Sequence, residues 1–134
     1  MDIVLVDTSV WINFFKGIET QASKFLRSNL AYIVVATCPI IMQEMLQGIA
    51  LDSEVKKIKS YFDSMTKLAE DPYEMAIEAA NLYQNLRTKG ITIRKPNDCL
   101  IATYAIKNNV LLLHDDQDFQ FIIQNSGLKT VNFN

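Results

Sequence analysis

The chain has 134 residues, 49% of them hydrophobic and 21% charged, and its 13 Lys+Arg against 15 Asp+Glu leave a formal net charge of −2. At roughly 100–200 residues per domain that is one globular domain over residues 1–134, able to bury a core without staples, and its charge excludes a polyanion binder held by overall field. No run of about 18 apolar residues exists, Cys38 and Cys99 lack CxxC spacing, and the first residues lack a basic signal region, so a membrane span is excluded and the cytoplasm is expected.

In chain order, Ile3–Val6 is a fully apolar run of four that reads as a buried strand, ended by Asp7-Thr8-Ser9. Thr8 or Ser9 can cap a following helix in which Trp11, Phe14, Phe15 and Ile18 recur at helical spacing, and Gly17 ends it. A second helix is predicted over Gln21–Asn29, then a β-rich run over 32–36. Pro39 opens a helix continuing over 40–51. The lysine-rich segment 53–65 is helical, with Val55, Ile58, Tyr61, Phe62 and Met65 on one face. Asp71-Pro72 opens a long helix to about Lys89, with Gly90 after it, and Pro96-Asn97-Asp98 opens another to about Asn109. A short apolar run over 110–113 precedes His114-Asp115-Asp116 and a helical stretch to about Gln124; residues 130–133 form a last, edge-like strand. Strands separated by helices predict an α/β fold with a short, mostly parallel sheet flanked by helices.

Acids recur where such a sheet places ligands, beyond the carboxyl ends of its strands. Asp7 follows the first run, and Asp115, Asp116 and Asp118 follow the run over 110–113. Glu44 shares a helical stripe with Ile40, Ile41, Gly48 and Leu51, and Asp98 heads one of Ile101, Ala102 and Ala105. Both carboxylates therefore lie on or beside an inward face, where each needs a partner. Taken singly, Asp7 reads equally well as a helix cap or turn residue, and Asp98 reads first as a helix cap after Pro96-Asn97. Glu44 reads equally well as a solvated helix edge, and the acids after residue 113 read as a helix start. Taken together they are harder to explain that way. Clustered carboxylates raise one another's pKa, and a divalent cation relieves them. Oxygen ligation without Cys or His favours Mg²⁺ or Mn²⁺ over zinc, since His114 is the one histidine.

Four segments taken in order carry a family resemblance. They are Val4-Leu5-Val6-Asp7-Thr8-Ser9-Val10-Trp11; Glu44 within its helix; Lys89-Gly90-Ile91-Thr92-Ile93-Arg94 followed by Asn97-Asp98-Cys99-Leu100-Ile101-Ala102; and Leu112-Leu113-His114-Asp115-Asp116-Gln117-Asp118-Phe119. Together they resemble the PIN-domain family and, within it, the VapC toxins of bacterial toxin–antitoxin pairs. The resemblance implies a three-layer PIN-like fold and a Mg²⁺- or Mn²⁺-dependent endoribonuclease. It further implies inhibition by a VapB-like antitoxin, a homodimer, and an RNA substrate such as tRNA or rRNA. It maps the catalytic acids to Asp7, Glu44, Asp98 and Asp116. The metal would be held by Asp7, Asp98, Asp116 and Asp118, with the Thr8 and Ser9 hydroxyls behind the first acid. In that scheme Glu44 orients the attacking water. One departure is His114, where family members often carry Thr. The alternatives are a PIN-like RNA maturation or decay nuclease without an antitoxin, and a catalytically silent PIN-like binding module.

Phosphodiester cleavage at such a site leaves a 5′-phosphate and a 3′-hydroxyl, because one histidine cannot act as both general acid and general base for attack by the RNA 2′-hydroxyl. No acid lies between Glu78 and Asp98, so the approach to Asp98 is locally basic, and Arg94 and Lys95 are the candidate RNA contacts at its mouth. Lys56, Lys57 and Lys59 read as a solvated face. The stripe of Trp11, Phe14 and Phe15 reads as core, or, where exposed, as part of a groove for an antitoxin helix.

Overall fold

Val4, Leu5 and Val6 are at most 1% exposed because their strand, β1 (Ile3–Val6), has a neighbour on each side and helices over both faces of the sheet. A computed structural model describes residues 1–49 and 51–133; residue 50, inside the helix expected over 40–51, and residue 134 lie outside them. Four strands, β1, β2 (Val34–Thr37), β3 (Thr66–Lys67) and β4 (Leu111–Leu113), form one parallel sheet in the order β3-β2-β1-β4. Seven helices among the described residues connect and flank them: α1 (Thr8–Lys16), α2 (Gln21–Asn29), α3 (Pro39–Gln47), α4 (Asp52–Asp63), α5 (Pro72–Thr88), α6 (Pro96–Asn108) and α7 (Asp118–Gln124). The α/β architecture expected from the sequence is the one observed.

The chain builds the sheet outward from β1 through β2 to β3, then crosses to β1's other edge for β4. The strand order therefore reverses between β1 and β4, and an open parallel sheet has its crevice at that point, beyond the strands' carboxyl ends. The register pairs Val6 with Leu113, and Asp7 N–H donates to the Leu113 carbonyl at 2.9 Å, so Asp7 and His114-Asp115-Asp116 emerge side by side.

Several local expectations change. The cap of α1 is Asp7, not Thr8 or Ser9, because its carboxylate accepts the Ser9 N–H. Gly17 closes α1 in the left-handed region at φ 71°, as its sequence position suggests. The second strand is Val34–Thr37, and Tyr32 is left 71% exposed. α3 stops at Gln47, so Gly48 caps the helix whose stripe it was expected to extend and Leu51 caps α4. α6 is entered through Lys95, which places Asp98 in its first turn and removes the capping role for that acid. The expected last strand reduces to one bridge, Thr130 to Leu112. β3 was not expected: its two residues are both exposed and carry no apolar pattern.

Trp11 anchors the core under α1 and α4. It is fully buried and stacks on Phe15 at 5.6 Å, with Phe14, Tyr61 and Phe62 around it at edge or tilted angles. Cys38 and Cys99 are free and buried, and burial pushes their thiols up to about 12 and about 11, so both stay neutral.

Candidate active site

Five acids reach the crevice from four places in the chain. Asp7 ends β1, Glu44 projects from α3, Asp98 comes from the first turn of α6, and Asp116 and Asp118 come from the segment joining β4 to α7. Asp7, Asp98 and Asp118 are buried, at 4%, 5% and 7% exposed. Carboxylate oxygens of Asp98, Asp116 and Asp118 lie within 4.8 Å of one another. Asp7 is outside that triplet, so of the four expected metal ligands the structure draws three together, with Asp7 beside them.

Each acid is held differently. Asp7 Oδ2 accepts from Ser9 Oγ at 2.6 Å and from Ser9 N–H at 3.0 Å. Thr8 Oγ1 donates to Glu44 Oε1 at 2.8 Å, bringing α3 against the start of α1. The two hydroxyls named from the sequence thus serve two different acids. Asp116 Oδ1 accepts the Asp118 N–H at 3.0 Å, and its Oδ2 faces Lys95 Nζ at 2.8 Å. Asp118 Oδ2 faces Arg94 Nε at 3.4 Å. Asp98 Oδ2 is buried and has no hydrogen-bond partner among the described residues.

The electrostatics follow from that accounting. Burial, together with the charges of Asp7 and Asp116, pushes the Asp98 carboxyl up to about 7. Burial also raises Asp7; the two Ser9 bonds oppose the rise and the Glu44 charge adds to it. For Asp116 burial again favours the neutral acid, but the Lys95 hydrogen bond, the Asp118 N–H and the charges of Lys95 and Arg94 outweigh it, and its pKa falls. A buried carboxylate without a donor, beside two others, is a site short of positive charge. The all-oxygen donor set fits Mg²⁺ or Mn²⁺.

Arg94 and Lys95 lie at the mouth, as their position before α6 suggested, but each is paired with an acid. Asp115, whose role the sequence left undivided from its neighbours', is structural: its Oδ2 accepts from Thr20 Oγ1 at 2.7 Å and Asn13 Nδ2 at 3.0 Å. Its own N–H donates to Ser9 Oγ at 3.0 Å. No spacing signal could have found Asn13 and Thr20, because they meet Asp115 only through the β1–β4 pairing. His114 supplies no hydroxyl; it packs on Phe119 at 5.1 Å, and burial lowers its pKa. Beside Glu44, α1, α3 and α4 enclose a groove of about 590 Å³ lined by Ile12, Phe15, Met45 and Ile58.

A parallel sheet with carboxylates gathered at its switch point defines the class, and the chain belongs to the PIN-domain family, whose model matches residues 4–122. Within that family it is 30% identical over 133 residues to the VapC ribonuclease Mb1587 of Mycobacterium bovis and to ribonuclease VapC11 of Mycobacterium tuberculosis, covering 98% of this chain and 99% of each relative. Its fold matches chains in the structures of VapBC-1 from nontypeable Haemophilus influenzae (TM-score 0.73, 98% of both chains) and of promoter-bound VapBC2 from Rickettsia felis (TM-score 0.72, 97% and 98%), each at 18% identity.

Proposed function

We propose that this chain is a VapC-type endoribonuclease, the toxin of a toxin–antitoxin pair, and that the five acids are its catalytic site. The observation that carries the reading is Asp98, a buried carboxylate with one unpartnered oxygen, set against Asp116 and Asp118 in a chain similar throughout to VapC ribonucleases. Asp98, Asp116 and Asp118 would hold a divalent cation, with Asp7 beside it. When bound, that ion supplies charge relief for the phosphodiester and acidifies the attacking water. Glu44, fixed by Thr8, orients the water and accepts its proton. Asp7, fixed by Ser9, would add negative potential that helps hold the cation. His114, neutral and packed on Phe119, has no partner for 2′-hydroxyl chemistry, in keeping with 5′-phosphate and 3′-hydroxyl products.

The groove beside Glu44 suits the apolar face of an antitoxin helix, since Phe15 and Ile12 are 40% and 41% exposed there. A helix seated in it would come to rest next to the catalytic acids, which links binding to inhibition. Among the described residues no helix is long and apolar enough to cross a membrane. The test is incubation of total cellular RNA with the purified chain in Mn²⁺ or in EDTA, with and without the antitoxin. Cleavage confined to Mn²⁺ without antitoxin supports the reading, and RNA left intact under every condition overturns it.

A further inference from the structure

The two cations nearest the acidic cluster stand on the same short approach to α6, and each sits on an acid. Lys95 Nζ is 2.8 Å from Asp116 Oδ2, and Arg94 Nε is 3.4 Å from Asp118 Oδ2. The partners differ sharply in burial. The Asp116 and Asp118 side chains are 9% and 10% exposed, whereas those of Lys95 and Arg94 are 60% and 75% exposed. The acids are fixed parts of the crevice, and the cations reach into it from solvent. Either cation can leave its acid without disturbing the core. The third acid of the triplet, Asp98, has no such partner on its buried oxygen among the described residues.

We propose that Lys95, assisted by Arg94, is a stand-in cation that neutralises Asp116 in the metal-free protein, is released when a divalent ion enters, and then pairs with an RNA phosphate. The inference rests on the nuclease reading of the site. A lysine suits the exchange, being a compact charge on a flexible stem rather than a fixed two-pronged fork. The exchange also keeps the number of ion pairs constant: Asp116 trades an ammonium for a metal ion, and Lys95 trades a carboxylate for a phosphate. Metal binding then presents a free cation at the mouth of an otherwise acidic crevice, in a chain whose net charge of −2 does not attract RNA. Because linkage is reciprocal, RNA that draws Lys95 away must in turn tighten the metal site.

Isothermal titration of Mn²⁺ into wild type, Lys95→Met and Lys89→Met tests this. Methionine keeps most of the stem and removes the charge, and Lys89, at the end of α5, controls for loss of any nearby positive charge. The expected result is Mn²⁺ binding roughly fivefold tighter in Lys95→Met, the scale of one partly exposed ion pair, with Lys89→Met close to wild type. A second readout is the affinity for a 2′-O-methyl RNA 12-mer with and without Mn²⁺. Mn²⁺ should tighten RNA binding in wild type, and that gain should shrink in Lys95→Met. Equal or weaker Mn²⁺ binding in Lys95→Met, or an undiminished gain with RNA, overturns the exchange and leaves the nuclease reading intact. No Mn²⁺ binding by wild type or either variant overturns the metal site itself, and the exchange with it.

Discussion

Asp98 shows how competing effects resolve at one residue. It stands in the first turn of α6, where the helix N-terminus favours a negative charge by about 0.3–1 kcal/mol. Its pKa is nevertheless pushed up to about 7, because burial and the charges of Asp7 and Asp116 outweigh that dipole and the Lys95 charge. The native protein then carries a proton on Asp98 that the unfolded chain has released above the ordinary value of 3.8. This group's stabilising contribution is complete below that ordinary value and is lost as pH rises towards about 7. Asp116, whose pKa is lowered, acts with the opposite sign, and its window lies below its ordinary 3.8. Melts in EDTA should therefore show a falling Tm between about pH 5 and 7.5, and Asp98→Asn should flatten that fall and raise the Tm at pH 7.5. A slope identical in the variant would show that Asp98 does not hold the proton. Asp7→Asn should gain less, since it weakens the two bonds from Ser9 while relieving the same repulsion.

At the scale of elements, the segment from β4 to α7 divides its acids between two duties. Asp115 ties the start of α2 and the middle of α1 to the end of β4, while Asp116 and Asp118 turn to the crevice. Asp115→Ala should leave the Thr20 hydroxyl and the Asn13 amide without their acceptor and cost about 1–3 kcal/mol, read by urea unfolding. The Tm shift produced by Mn²⁺ should survive in that variant; its loss would place Asp115 in the metal site. This division was beyond the sequence, which shows only three acids in a row of five residues. What periodicity and run length could show was β1, α2, and the ends of α1 and α6, because fully buried strands and capped helices leave local signals. β3 left none, being two exposed residues whose pairing with β2 is set by the chain around them. Asp7, Asp98 and Asp116 were legible as acids at strand ends and on an apolar helix face. The pairing of Asp116 with Lys95 was not, because side-chain partners across elements depend on the sheet order.

At the scale of the whole molecule, the strand reversal between β1 and β4 brings acids more than 100 residues apart in sequence into one crevice. An ion bound only by the native state adds RT ln(1 + [L]/Kd), so Mn²⁺ at about 100 times its Kd should contribute roughly 2.7 kcal/mol. Thermal melts should record that gain in wild type and a smaller one in Asp98→Asn; superimposable wild-type melts in Mn²⁺ and EDTA would rule out the site. RNA must be attracted against a net charge of −2, by local cations alone. In Mn²⁺, Arg94→Ala/Lys95→Ala should flatten the slope of log K against log salt by about 0.7 per lost single-strand contact. An unchanged slope in fluorescence-anisotropy titrations would assign both side chains to the solvated surface.

Hydrolysis by the acid cluster is most directly tested by the ends it leaves on a defined RNA. Wild type with Mn²⁺ should yield 5′-phosphate and 3′-hydroxyl ends, and Asp98→Asn should lose about 100-fold or more of that cleavage, the scale of removing one preorganised electrostatic group. Fragments ending in a 2′,3′-cyclic phosphate, or cleavage undiminished in Asp98→Asn, would contradict it.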